Sequence, residues 1–415
     1  MKRTVSLLTI VTLLLLCACG SQDKQYDLLL NGQTPVNALG LYANKYSVLY
    51  LSDTYFLYTE AARDFVDVLG ETMPVCGIYK YDLLKDSAQE IYVPDRGSVW
   101  EGVYPDVNGA AAVNSENELL YFVEYERLSA GFRFSCMQLE LGAMHVTRVG
   151  FVDCGRNVSS VALSMTPEGS LLFAEQRTGR AEWLVTKVDV QTGDTQVLDH
   201  YTAYDLNQAG DASSRGAAHP FTPKAGTANY FAYQKTVLQE ESDNYETFYF
   251  LVEYQGDMRI EKEIEMERYA LSSDGESVGL LQQISVCDRY CYILGVPYAF
   301  LFTIDSMQAV TPPKEARVLM ERANCQAPVD ASEQYMLFTD GRGAADSVAH
   351  EAVLFDTEKN IFHILRFGLD KEQRLRILAY DSSLNAIIQI GTYSEISDSV
   401  EYRSYRINLE GRGEK

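Results

Sequence analysis

The chain of 415 residues carries 58 acidic against 35 basic side chains, a formal net charge of −23. So acidic a surface repels phosphate backbones and anionic headgroups. Nucleic acid is therefore not an expected partner, and the charge serves a solvated exterior or a basic partner. The most apolar stretch after the N-terminus, YCYILGVPYAFLFTI at 290–304, is too short to span a bilayer. Gly295 and Pro297 interrupt it, so it reads as two buried strands around a turn.

In chain order the first element is a leader. Lys2 and Arg3 form a basic start, and Leu7 to Leu16 an apolar run of signal-peptide length. The run meets Leu16-Cys17-Ala18-Cys19, which resembles the bacterial lipobox, with a plain secretory signal cut elsewhere as the alternative. The resemblance implies that residues 1–18 are a lipoprotein signal peptide. It also implies that Cys19 becomes an acylated N-terminus, palmitate being a usual acyl chain, and that the mature protein is held on the cell membrane outside the cytoplasm. Residues 19–25 then form a polar, lipidated tether, and 26–412 a single domain.

Residues 26–51 contain extra strands, one of which is expected to pair with the last repeat and hide the terminal edges. The first full unit runs over 54–93, and TEAARDFVDVLGE at 59–71, inside its hairpin, is the best helix candidate in the chain. Similar units follow at 117–149, 170–198, 228–264, 290–319, 334–365 and 385–411, at intervals of roughly 45 to 65 residues. Each alternates apolar and polar residues over five to seven positions, the mark of half-buried strands. The clearest, SMTPEGSLLFAEQRTGRAEWLVTKVDVQTGDTQVL, has a Pro-Glu-Gly turn, an aromatic strand, a second strand and a Thr-Gly turn. This pattern resembles the TolB-type β-propeller repeat, from which Thr166 and Glu168 depart.

A lone antiparallel sheet must cover its apolar faces, and packing such sheets around an axis does so. The expected fold is therefore all-β: a β-propeller, seven blades of four antiparallel strands. Six or eight blades are the alternatives because residues 200–230 blur the count, and two tandem β-sandwiches come third. The 28 tyrosines, against 2 tryptophans, are expected to pack between sheets.

Six cysteines remain after Cys17 is cleaved away and Cys19 acylated: Cys76, Cys136, Cys154, Cys287, Cys291 and Cys325. Their spacing matches no disulfide framework, bridges are an open alternative, and most are expected to be buried small hydrophobes. Cys287 and Cys291 lie too far apart to bridge in one straight strand, but a turn at CDRYC would bring them together.

Chemistry-bearing motifs are weak. Gly275-Glu276-Ser277-Val278-Gly279 is formally a nucleophile elbow but sits in a turn between strands, without α/β context. DLNQAGD at 205–211 begins like a calcium loop but lacks the later acids. The five histidines form no ligand pair, and Asn157 heads a formal sequon. No catalytic residue, metal or cofactor is assigned.

Irregular residues gather in hairpins between the second and third strands of the units and in the links between units, which alternating strand direction sends to one face. These are 59–75, QEESDNYE at 239–246, GRGAADSVAH at 341–350 and the connection 201–227, whereas turns such as QTGD and TEKN are short. Long loops on one rim of a rigid scaffold are the usual site of binding. The candidate binding residues there are Arg63, Asp64, Asp205, Asn207, Asp211, Arg215, Asp243, Tyr245, Arg342 and Asp346. The expected function is a membrane-anchored binding or scaffold module for a protein or cell-envelope ligand. The alternatives are a propeller enzyme acting on glycan or peptide, and a sensor subunit of a membrane complex.

Overall fold

The computed structural model describes residues 24–28, 34–36, 47–100, 111–155, 158–166, 169–177, 182–202, 219–222, 229–239, 244–255, 257–265, 270–271, 281–295, 299–321, 323–330, 332–340, 351–370, 373–394 and 399–410. Among them the chain is an all-β propeller with almost no helix.

The described strands pair into seven sheets. Two N-terminal strands, β1 (Lys24–Leu28) and β2 (Thr34–Val36), join the last two of these. The first sheet is β3 (Val48–Leu51), β4 (Tyr55–Val66), β5 (Thr72–Asp82) and β6 (Ser87–Tyr92). The second sets β7 (Ser98–Val99) and β8 (Ala111–Asn114) against β9 (Leu119–Leu128), then β10 (Gly131–Glu140) and β11 (His145–Cys154). The third is β12 (Val158–Met165), β13 (Leu171–Arg177), β14 (Glu182–Val188) and β15 (Thr195–Thr202). The fourth is β16 (His219–Thr222), β17 (Asn229–Gln239), β18 (Asn244–Gln255) and β19 (Met258–Ile264). The fifth is β20 (Leu281–Cys287), β21 (Tyr290–Gly295), β22 (Ala299–Thr303) and β23 (Gln308–Ala309), and helix α1 (Lys314–Met320) follows it. The sixth is β24 (Ala323–Gln326), β25 (Tyr335–Asp340), β26 (Glu351–Asp356) and β27 (Ile361–Phe367), with β1 parallel on β27. The seventh is β28 (Gln373–Tyr380), β29 (Asn385–Ser394) and β30 (Ser399–Asn408), completed by β2 antiparallel on β30. The chain start thus covers the edge of its last sheet, as the extra strands at 26–51 led us to expect.

Each sheet buries one face against the sheet before it and the other against the sheet after it. Leu49 and Ile78 meet Leu120 and Met137 between the first two sheets. Phe134 meets Leu163 and Phe173 at the next interface, and Ala174 and Val185 meet Val252 at the one after. Leu251 packs with Ile293 and Phe302, Tyr292 with Met320 and Phe338, and Leu354 and Leu365 with Ile388. Ile387 of the seventh sheet returns to Leu51, Phe56 and Tyr58 of the first, which closes the ring. At about 25 cal/mol per Å² of apolar area, such interfaces supply the driving force a single sheet lacks.

One expectation needs correcting. Residues 59–71 are not a helix: Thr59–Val66 continue β4, pairing with β5 from Ile78 to Thr72. Helix preference amounts to tenths of a kcal/mol per residue, and a long cross-strand ladder outweighs it. The one helix among the described residues, α1, is instead in KEARVLM, and Ala316 and Met320 bury its inner side. The six described cysteines are buried, as most were expected to be, and no disulfide joins them. Asp288, with φ of 51°, does turn the chain between Cys287 and Cys291. Register, however, sets Cys287 opposite Tyr290 and Cys291 opposite Val286. The two thiols therefore leave opposite faces of one sheet, toward different cores.

Candidate binding surface

Antiparallel pairing within each sheet fixes two faces of the ring. Turns from first to second and third to fourth strand emerge on one face. Second-to-third hairpins and inter-sheet links emerge on the other. The short-turn face is largely regular: in nine of its described turns one residue steps into left-handed backbone, at Asp86, Glu118, Met144, Gly169, Gly193, Asp288, Met307, Asn360 and Leu384. Only the two glycines do this without steric cost.

The long-loop face is different, and the first sheet shows why. β4 is buried from Phe56 to Thr59 and exposed from Ala61 to Asp64, so the upper half of its hairpin with β5 stands clear of the ring. A free two-stranded ribbon is marginal in water, and side chains from neighbouring segments hold this one. Arg63 Nη2 donates to the carbonyls of Pro94 (2.8 Å) and Asp95 (3.1 Å) in the link to the second sheet. That link fits tightly under β9: Gly97 has φ of +77°, and a Cβ there would lie 2.1 Å from the Tyr125 carbonyl oxygen. From β9, Arg127 Nη1 reaches Asp67 Oδ2 (3.1 Å) and Glu71 Oε2 (2.5 Å) across the hairpin turn.

Asp67 organises that turn. Its buried carboxylate accepts the N–H groups of Leu69 and Glu71, each at 2.8 Å, while Gly70 takes φ of +84°. Burial alone would raise the Asp67 carboxyl, but the two N–H donors and the Arg127 guanidinium hold it below its ordinary value of 3.8. With the polar groups tied inward, the tip turns its apolar residues out: Val66 is 68 %, Val68 58 % and Leu69 52 % exposed. Single exposed apolar side chains are normal, but three within four positions on a braced hairpin are not.

On the opposite face the chain from β24 to β25 departs from the short-turn rule and runs over the ring. Val329 N–H donates to Tyr380 O (2.9 Å), Ser382 N–H to Asp330 Oδ2 (2.9 Å), and Ser115 Oγ–H to Asp330 O (2.7 Å). The last bond joins the sixth sheet to the second. Burial, with Asp330 nearby, raises the Asp381 carboxyl under this strap. A groove of ≈ 540 Å³ lies between the fifth and sixth sheets on the same side, lined among others by Tyr290, Gln308, Pro312 and Phe362.

Of the expected binding residues, Arg63 and Asp64 lie on the projecting hairpin, where Arg63 braces the backbone and Asp64 is exposed. Tyr245 lies on β18 opposite Leu238, at the hairpin end of the fourth sheet. Asp205, Asn207, Asp211, Arg215, Asp243, Arg342 and Asp346 lie outside the described residues, as do Cys19 and the 275–279 and 205–211 motifs. Sequence reading passed over Val66, Val68 and Leu69. The available signal was adjacent apolar residues beside Gly70, where an alternating strand cannot turn every apolar side chain inward.

No protein-family model matches the chain, and no curated protein does. Solved propellers are similar to it in outline. An oligogalacturonate lyase in complex with manganese shares 13 % identity over 88 % of this chain and 90 % of that one, with a TM-score of 0.44. The β-propeller domain of the Trilobed protease from Pyrococcus furiosus shares 10 % over 90 % and 98 %, at 0.39. TolB from Acinetobacter baumannii shares 10 % over 85 % and 80 %, at 0.35. Likenesses this distant carry no functional argument.

Proposed function

We propose that this chain is a membrane-anchored, extracytoplasmic propeller whose long-loop face binds a protein of the cell envelope. The observation that carries the reading is the braced apolar tip, Val66, Val68 and Leu69, held by Arg127 and Arg63. An apolar patch inside a polar rim is how a protein interface is commonly built. The membrane half of the reading rests on the lipobox-like Leu16-Cys17-Ala18-Cys19, which would place the acyl chain on Cys19. Seven blades belong to the same reading, supported by seven sheets that each share a core with the next.

The test is Val66→Ser, Val68→Ser and Leu69→Ser together. Three exposed residues contribute little to folding, so the melting temperature should stay within a degree or two while capture of an envelope protein from detergent-solubilised membranes falls at least tenfold. Unchanged capture would overturn the assignment of the tip.

A further inference from the structure

We propose that the anchor turns the short-turn face of the ring toward the membrane and leaves the long-loop face, with its apolar tip, looking away. The inference rests on the lipoprotein reading above and adds to it a direction.

β1 carries the argument. It lies parallel to β27, with Lys24 opposite His363 and Leu28 opposite Phe367. β27 begins after the turn at Asn360, on the short-turn face, and climbs toward the link at Gly368 on the other face. Lys24 therefore sits near the short-turn end of the sixth sheet, and β1 runs from there away from that face. Only four residues, Gly20 to Asp23, separate Cys19 from Lys24, which makes five Cα–Cα steps. Whatever their conformation, they span at most about 18 Å.

The tip is beyond that reach. Val66 is the last residue of the twelve in β4, whereas Lys24 is level with the third residue of β27. At 3.3 Å per residue this places the tip about 30 Å farther from the short-turn end than Lys24. A bilayer holding the Cys19 acyl chains cannot lie against Val66, Val68 and Leu69 unless β1 leaves its sheet. Those side chains are then offered to a partner on the far side of the ring rather than to lipid. The strap through Asp330 lies on the membrane side.

Energy transfer to a lipid-headgroup acceptor reads this direction. Glu358 and Asp370 are exposed at opposite ends of β27, and the buried native thiols stay unlabelled in the folded chain. The lipidated full-length protein, as Glu358→Cys or Asp370→Cys with a donor dye, is reconstituted into phosphatidylcholine vesicles. Transfer should be several-fold greater from position 358 than from 370. A 20-residue Gly-Ser insertion between Asp23 and Lys24 should bring the two together. Equal or reversed transfer in protein that floats with the vesicles, or an asymmetry that survives the insertion, overturns the orientation while the anchor stands. Wild-type protein that does not float, or Cys19→Ala protein that floats equally well, overturns the lipoprotein reading and the orientation with it.

Discussion

The fifth sheet and the hairpin of the first sheet use the same strand chemistry to opposite ends. β21 is buried at every position, and β22 at all but its last. Both faces of this short sheet meet neighbours, toward Cys291 and Ile293 on one side and Tyr292 and Leu294 on the other. β4 and β5 are about twice as long, and only their lower halves are sandwiched. The length beyond the ring buries little and depends on Arg63, Arg127 and Asp67 instead. Stability is thus concentrated where sheets are covered twice, and binding is placed where an excess of strand leaves the core.

The largest expected effect tests the buried side of the comparison. Tyr292 is fully buried, its hydroxyl donating to the carbonyls of Ala323 (2.7 Å) and Met320 (2.8 Å), its ring edge-on to Phe338. Tyr292→Ala should cost about 3–5 kcal/mol, seen as a lowered denaturant midpoint for the whole domain. A loss confined to one part of the chain would show that the sheets do not unfold together.

Arg127→Ala should act locally. Asp67 is buried but keeps its two backbone N–H donors without the guanidinium, and Glu71 is largely exposed, so the fall in melting temperature should be small. Amide exchange over residues 64–74 should rise at least tenfold, and partner capture should weaken. Unchanged exchange would mean that the hairpin stands without its brace.

A smaller effect follows from acid. Because the folded Asp67 carboxyl lies below its ordinary 3.8, its contribution is complete above that value and fades as pH falls through the folded one. Protease cutting between 66 and 71 should therefore increase below about pH 3.8, and Asp67→Asn should be cut equally at pH 3 and pH 6. A wild-type chain whose cutting does not change with pH would remove Asp67 from the turn.

Much of this was legible in the sequence because the middle strands of each sheet carry long alternating, aromatic-rich runs. The Gly169 and Gly193 turns within the third sheet were plain for a similar reason, glycine being the residue that takes left-handed backbone freely. The innermost strands were not: AAVN in β8, VSSVALSM in β12 and ANCQ in β24 use small and polar residues, and their periodicity is faint. The strap at 327–334 was also hidden, since Asp330 and Ser115 are 215 positions apart and nothing local links them. At the candidate site, attention to charge found Arg63, which braces the hairpin. The apolar tip three residues on was missed, because Glu60, Ala61 and Arg63 favour a helix that the β5 ladder overrides.

The central claim is that the two faces do different work, and Val66 and Leu84 report on it directly. Both are among the exposed large apolar side chains, at 68 % and 82 %, on the long-loop and short-turn faces respectively. A photo-crosslinking amino acid placed at each position in turn, in cells, should trap an envelope protein from position 66 and none from position 84. Trapping from position 84 alone would contradict the account and move the binding surface to the face assigned here to the membrane.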